Sequence, residues 1–161
     1  MASDIEKLLE SLPKSPSFMV MHFTKDATLI KELKEFCQDA QEYRVLTYEA
    51  REKESLEDYA SGNMAVQLIN PKRAKYNHPS KFYDYLFVTA LPQNRDEFLQ
   101  KVYYALKNGA PIFIFLQKEQ KELAYALESE LIDRNYVAIN LIDIDNFLVV
   151  SAKKMHGWSG S

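Results

Sequence analysis

Glycine is scarce and arrives late: there are four in 161 residues, and the first is Gly62. No glycine-rich phosphate-cradling loop can therefore occur in the first third of the chain, and no P-loop pattern occurs later. There is one cysteine, Cys37, so no internal disulfide forms, and a lone thiol suits a reducing compartment. No apolar run approaches the ~20 residues that a membrane-spanning helix requires. Residues 1–6 lack the basic stretch and apolar stretch of a secretory signal, so the expected location is cytoplasmic. The net charge of −3 is too small for wholesale attraction to nucleic acid or membrane. His22, His78 and His156 lie far apart without metal-ligand spacing, so no metal is implied. No Ser, His and Asp order of a hydrolase is present.

What the sequence does hold is alternation between two periods. Residues 4–12 place Ile5, Leu8, Leu9 and Leu12 on one helical face, with Ser3 as the cap and Glu6 three residues on; Pro13 and Pro16 end it. Residues 18–23 form a short apolar run that predicts a buried strand. Leu29, Ile30, Leu33, Phe36 and Cys37 then recur at helical spacing, with Thr24 or Asp26 as the expected cap. The pattern repeats with a strand over 44–48, a charged helix over 51–59, a strand over 65–69, a loop over 72–81 and a strand over 85–90. A helix over 96–107 follows, ended by Asn108 and Gly109, then a strand over 111–116 and a helix over 119–134. The close is different: 136–142 and 147–152 are β-rich, with only residues 143–146 between them, which predicts a hairpin. The predicted fold class is α/β: a three-layer Rossmann-like sandwich, helices on both faces of a mostly parallel seven-stranded sheet that ends in an antiparallel β-hairpin. The expected organisation is a single domain over 1–161, with an N-terminal helix and linker over 1–16, a core over 18–152 and a tail over 153–161.

Several short patterns add to this order. Tyr83-Asp84-Tyr85-Leu86-Phe87-Val88 opens the fourth strand on an aromatic and an acid. Leu106-Lys107-Asn108-Gly109-Ala110-Pro111-Ile112 leads into the fifth, and Glu49 lies just past the second. Over residues 18–152 the chain resembles the class I S-adenosylmethionine-dependent methyltransferases. The resemblance implies that Glu49 stands where that family holds the cofactor ribose. One departure is plain: the family's glycine loop after the first strand is replaced by His22-Phe23-Thr24-Lys25-Asp26-Ala27, whose Cβ atoms occupy space that glycine would leave open. The segment after the fourth strand, Thr89-Ala90-Leu91-Pro92-Gln93-Asn94, does not carry the Asn/Asp-Pro-Pro-aromatic signature of amino-group methyltransferases. A receiver or flavodoxin-like domain would end on a helix instead of a hairpin, and a receiver needs acids at the end of the first strand.

Ligands of open α/β sheets bind beyond the carboxyl ends of the strands. That edge presents His22, Phe23, Thr24, Glu49, Asn70, Thr89 and Leu91; the candidate cofactor-binding residues are His22, Thr24, Glu49, Asn70 and Thr89, with S-adenosylmethionine as the implied cofactor. No catalytic residue is assigned. The plainer reading has Thr24 capping a helix, Glu49 solvated and His22 as a satisfied histidine in an apolar run. Cys37, on an apolar helix face, reads as core. Residues 59–83 contain no acid but hold Lys72, Arg73, Lys75, His78 and Lys81 with Tyr76 among them. Such a loop supports only modest, salt-dependent contact with RNA or phosphate. Trp158, in a tail without periodicity, packs back on the domain or docks on a partner, with packing back or against a second copy the expectation. Three functions stay open. The first is a methyltransferase-like domain that has lost ordinary cofactor binding and serves as a binding or assembly module, with homodimer formation as one outcome. The second is a divergent methyltransferase acting on a small molecule or RNA. The third is a regulatory phosphate or nucleotide binder using the helix N-terminus near Thr24.

Overall fold

The computed structural model describes residues 3–69 and 81–155. The chain opens with α1 (Asp4–Ser11) and β1 (Met19–Phe23), then α2 (Ile30–Phe36), β2 (Glu42–Thr47), α3 (Ala50–Glu57) and β3 (Met64–Leu68). It continues with β4 (Tyr85–Val88), α4 (Arg95–Ala105), β5 (Pro111–Gln117), α5 (Lys121–Asp133), β6 (Tyr136–Ile144) and β7 (Phe147–Lys154). Among the described residues seven strands form one sheet in the order β3-β2-β1-β4-β5-β7-β6. All neighbouring pairs are parallel up to β5, and β7 runs antiparallel between β5 and β6.

Two apolar layers follow from the period-two alternation of the strands. Met19, Met21 and Phe23 of β1 pack with Phe98, Leu99 and Val102 of α4 and Leu127 and Leu131 of α5. Val20, Tyr43, Val45, Tyr85 and Phe87 pack on the other face with Ile5 and Leu9 of α1, Ile30, Leu33 and Phe36 of α2 and Leu56 of α3. This second layer is aromatic. Phe87 stacks between Tyr85 and Phe113, with ring centroids 6.2 and 5.4 Å away. Phe36 meets Phe18, Tyr85 and Phe87 edge-on. Each such fully buried ring stabilises the fold by about 1.5–3 kcal/mol relative to its exposed state. Cys37 is fully buried in the same layer, and its burial pushes the thiol pKa up, away from reactivity.

The expected Ser3 cap forms, and α4 is capped by Asn94 and runs to Ala105, two residues short of the expected Lys107. Ser3 Oγ accepts from Glu6 N at 3.2 Å, and Asn94 Oδ1 accepts from Glu97 N at 3.1 Å at the start of α4. Asp145, in the β6–β7 turn, accepts from Asp4 N at 3.4 Å and Ile5 N at 3.2 Å. It thereby ties the positive end of α1 to the β6–β7 hairpin. The Lys154 ammonium is buried at the end of β7, where it donates to the carbonyls of Tyr103 and Leu106 at 2.7 and 2.8 Å. Those are carbonyls that the end of α4 leaves without helical partners.

One expectation is corrected. Neither Thr24 nor Asp26 caps α2: the helix begins at Ile30, behind Leu29, and its first turn has no side-chain cap. Residues 24–29 instead form a local turn. The Thr24 hydroxyl donates to Asp26 O at 2.9 Å, Asp26 Oδ1 accepts from Thr28 N at 3.0 Å, and Leu29 adopts a left-handed φ of 64°. Burial of the Leu29 side chain offsets the cost of that conformation. The expectations for Asn70, Lys72, Arg73, Lys75, Tyr76, His78, His156 and Trp158 lie outside the described residues.

Candidate functional site

The carboxyl ends of β1, β2, β4 and β5 meet at one rim, and two clefts lined by described residues open there. The larger, about 660 Å3, runs from the turn after β1 (Lys25, Asp26, Thr28) past Thr89 to the end of β5 at Gln117 and Gln120, with Phe115 and Phe147 as its apolar wall. The smaller, about 470 Å3, lies between the ends of β2 and β3 and helix α4, lined by Glu49, Ile69, Glu97, Phe98 and Lys101. Tyr48, Leu91, Pro92 and Gln93 line both and form the wall between them. Tyr48 is the key of this wall. It follows β2, and its hydroxyl donates to the carbonyl of Ala90, beyond β4, at 2.7 Å. Since β1 lies between β2 and β4 in the sheet, the phenol bridges the rim above the end of β1.

His22 lies beneath this rim and is fully enclosed. Its Nδ1 is 2.7 Å from the Tyr43 hydroxyl and its Nε2 is 2.8 Å from Thr89 Oγ1. One direction of this chain gives every donor an acceptor. Thr89 Oγ1 donates to Phe23 O at 3.3 Å, so it accepts from His22. Nε2 then carries the proton, and Nδ1 accepts from Tyr43. Burial lowers the His22 pKa to about 3, against a smaller upward pull from Asp26. Burial likewise raises Tyr43 well above the usual tyrosine value. Both groups are therefore neutral across the physiological range, and His22 acts as a fixed donor to Thr89, not as a proton acceptor. Thr89 lines the larger cleft and keeps a second lone pair for a ligand donor.

Thr24 is also fully buried, its hydroxyl engaged in the turn just described. Burial works against ionisation of Asp26, but the hydrogen bonds from Thr28 together with Lys25 and His22 bring its pKa below the ordinary value. Glu49 stands at the rim of the smaller cleft as the first residue before α3. Glu52 Oε1 accepts from both Tyr48 N and Glu49 N at 3.0 Å, and the Glu49 carboxylate pairs with Arg51 at 2.7 Å in solvent. At the floor of the larger cleft Arg95 is held by Glu130 in a two-pronged pair at 2.9 Å. The structure thus joins His22 to Thr89 and Thr24 to Asp26, and sets Glu49 apart on the other side of Tyr48. The helix N-terminus expected beside Thr24 is not formed there, because α2 starts at Ile30. Among the described residues no three His, Cys, Asp or Glu side chains gather as a metal site.

Sequence reasoning missed Tyr43 and Tyr48. Tyr48 sits directly before the flagged Glu49. Tyr43 directly precedes the expected strand 44–48 and lies two residues before Val45, which is opposite His22 in the register, so extending that strand by one residue would have included it.

No family model matches the sequence, and no curated protein sequence does either. Solved structures do. The CMeT domain of the citrinin polyketide synthase superposes with a TM-score of 0.75 at 9% identity, over 96% of this chain and 51% of that one. A chain of the complex between the Haloferax volcanii Trm112 methyltransferase activator and the putative methyltransferase gives 0.77 at 8%, over 95% and 89%. A SAM dependent methyltransferase from Aquifex aeolicus gives 0.72 at 14%, over 94% and 89%. This chain therefore spans about half of the polyketide synthase domain and most of the other two. At such identities the likeness speaks for the fold, and the strand order β3-β2-β1-β4-β5-β7-β6 agrees with it: the chain has the class I methyltransferase-like fold.

Proposed function

We propose that this chain is a methyltransferase-like binding module that does not hold S-adenosylmethionine in the manner of its fold relatives and does not transfer methyl groups. The observation that carries the reading is the Tyr48 bridge to Ala90 at 2.7 Å. It divides the crevice above β1 into two clefts, where an extended cofactor needs one continuous channel. The turn after β1 supports it: residues 24–28 all carry Cβ atoms, and Thr24 fills its position completely. These residues do not fit the cofactor in its ordinary pose. The chemistry of the larger cleft is that of binding. It offers the Thr89 acceptor, three glutamine amides (Gln93, Gln117, Gln120), an arginine already neutralised by Glu130, an aromatic wall, and the charged side chains of Lys25, Asp26 and Glu52. Such a mixed lining favours a polar ligand whose donors and acceptors these groups satisfy.

A second reading keeps an active, divergent methyltransferase. Its support is Glu49, an acid past β2 that lines the smaller cleft beside Ile69, Leu91 and Phe98. Calorimetric titration with S-adenosylhomocysteine and S-adenosylmethionine separates the two. The binding-module reading expects no heat and no thermal stabilisation at millimolar ligand. Micromolar binding, worth about 8 kcal/mol, would overturn it and make the search for a methyl acceptor the next step.

A further inference from the structure

Among the described residues the sheet has two edges without a further strand, β3 and β6, and they differ in kind. β6 carries a bulge between Val137 and Asn140, where Ala138 takes a left-handed φ of 54°, and it carries Asp143. Bulges and charges are the usual devices that stop an edge from pairing with another chain. β3, at the opposite edge, reads Met64-Ala65-Val66-Gln67-Leu68, with no charge, no proline and no bulge, and Leu68 is 39% exposed.

Asn63 O accepts from Tyr43 N at 3.0 Å, and Ile69 N donates to Thr47 O at 2.9 Å. In a parallel ladder alternate residues face the partner strand, so Ala65 and Gln67 face β2. The N–H and C=O groups of Val66 and Leu68, and the C=O of Met64, point away from the sheet. The Met64 N–H is engaged with Ser61 O at 3.2 Å.

We infer that the β3 edge is a self-pairing surface, on which a second copy of this chain adds its own β3 in antiparallel register about a two-fold axis at Val66. In that register the two Val66 residues exchange both of their backbone hydrogen bonds. Leu68 N–H of each copy meets the Met64 carbonyl of the other. Side chains match as well: Val66 faces itself, Met64 faces Leu68, Ala65 faces Gln67, and no like charges are opposed. An isologous contact of this kind closes on itself as a dimer and leaves no edge for further growth. β6 offers no such match, because its bulge breaks the row of outward groups. The inference stands apart from the clefts and holds whatever they bind.

Sedimentation equilibrium over rising concentration, into the hundreds of micromolar, tests it. The wild-type mass rises from the 18.7 kDa of one chain toward twice that value. Val66→Pro removes an outward N–H and leaves every β2–β3 hydrogen bond in place, since proline is tolerated on an edge whose N–H faces solvent; it stays monomeric to at least tenfold higher concentration while its far-ultraviolet dichroism remains native. Leu68→Lys, at an exposed position, weakens the dimer likewise and carries the test if the proline variant unfolds. Val66→Thr keeps the N–H and the branched shape, and dimerises as wild type does. A wild-type chain that stays monomeric throughout overturns the inference. So does a dimer that survives both Val66→Pro and Leu68→Lys, or one that is lost with Leu141→Lys on β6.

Discussion

Acidification should weaken this fold through His22 in a narrow and measurable window. The imidazole titrates near 6.5 when the chain is unfolded and near 3 when folded, because burial disfavours its charged form. Between these values the unfolded chain binds one more proton than the folded chain. Stability therefore rises with pH there, is fully present above about 6.5, and is lost as pH falls towards 3. Each pH unit is worth about 1.4 kcal/mol, so moving from pH 6.5 to about pH 5 removes about 2 kcal/mol. The control is His22→Phe, which keeps an aromatic volume and removes the titrating group. It carries its own cost of about 1–3 kcal/mol, since the buried Tyr43 hydroxyl loses its acceptor, but Tyr43 stays protonated and that cost does not vary with pH. Urea unfolding followed by circular dichroism at several pH values gives both curves. Their difference should shrink by about 2 kcal/mol on going from pH 6.5 to about pH 5. His78 and His156 are common to both proteins and cancel. Asp26, whose folded pKa lies below 3.8, adds acid sensitivity only below this window. Parallel curves would refute the reasoning: His22 would then be charged or solvated in the folded chain.

Tyr43→Phe removes the hydroxyl that serves His22 Nδ1 and leaves that nitrogen buried without a partner. It should cost about 1–3 kcal/mol and, at about 2–4 °C per kcal/mol for a chain this long, lower the melting temperature accordingly; a neutral result would contradict the assigned direction of the hydrogen-bond chain. Tyr48→Ala cuts the bridge to Ala90 and joins the two clefts. Calorimetry should then detect S-adenosylhomocysteine binding that the wild type lacks, and no gain would mean that the turn at residues 24–28 alone obstructs the site. Asp145→Ala removes the acceptor at the start of α1. A loss of about 1 kcal/mol is expected, with faster amide exchange at residues 5–12 and little change in the sheet; uniform protection would show that α1 is held by its apolar face alone.

Much of the architecture was legible in the chain itself. Runs such as Tyr85-Leu86-Phe87-Val88, buried on both sides, announce central parallel strands, and the helical spacing of Phe98, Leu99 and Val102 announces the cover. Only residues 143–146 separate the last two β-rich stretches, so a hairpin was the sole connection that fitted, and it puts β7 antiparallel beside β5. The absence of glycine before Gly62 already told against a glycine-rich cofactor turn. These features are local, or depend on steric needs of single residue types, and so they survive translation into sequence pattern.

The site did not. Nothing in the spacing of Tyr48 and Ala90, 42 residues apart, indicates that one donates to the other. Nor does His22 reveal that its two nitrogens are met by Tyr43 and Thr89, 21 and 67 residues away. Helix starts depend on the same non-local balance. Thr24 and Asp26 are good caps by type, yet the buried Thr24 hydroxyl is used within its own turn and α2 waits until Ile30, where packing of Leu29, Ile30 and Leu33 holds it. Sequence determines which side chains favour burial and with what period; the register between strands, and thus which polar groups meet once buried, is decided by the packed sheet, because a hydrogen bond in the interior depends on tenths of an ångström that only the assembled tertiary structure sets.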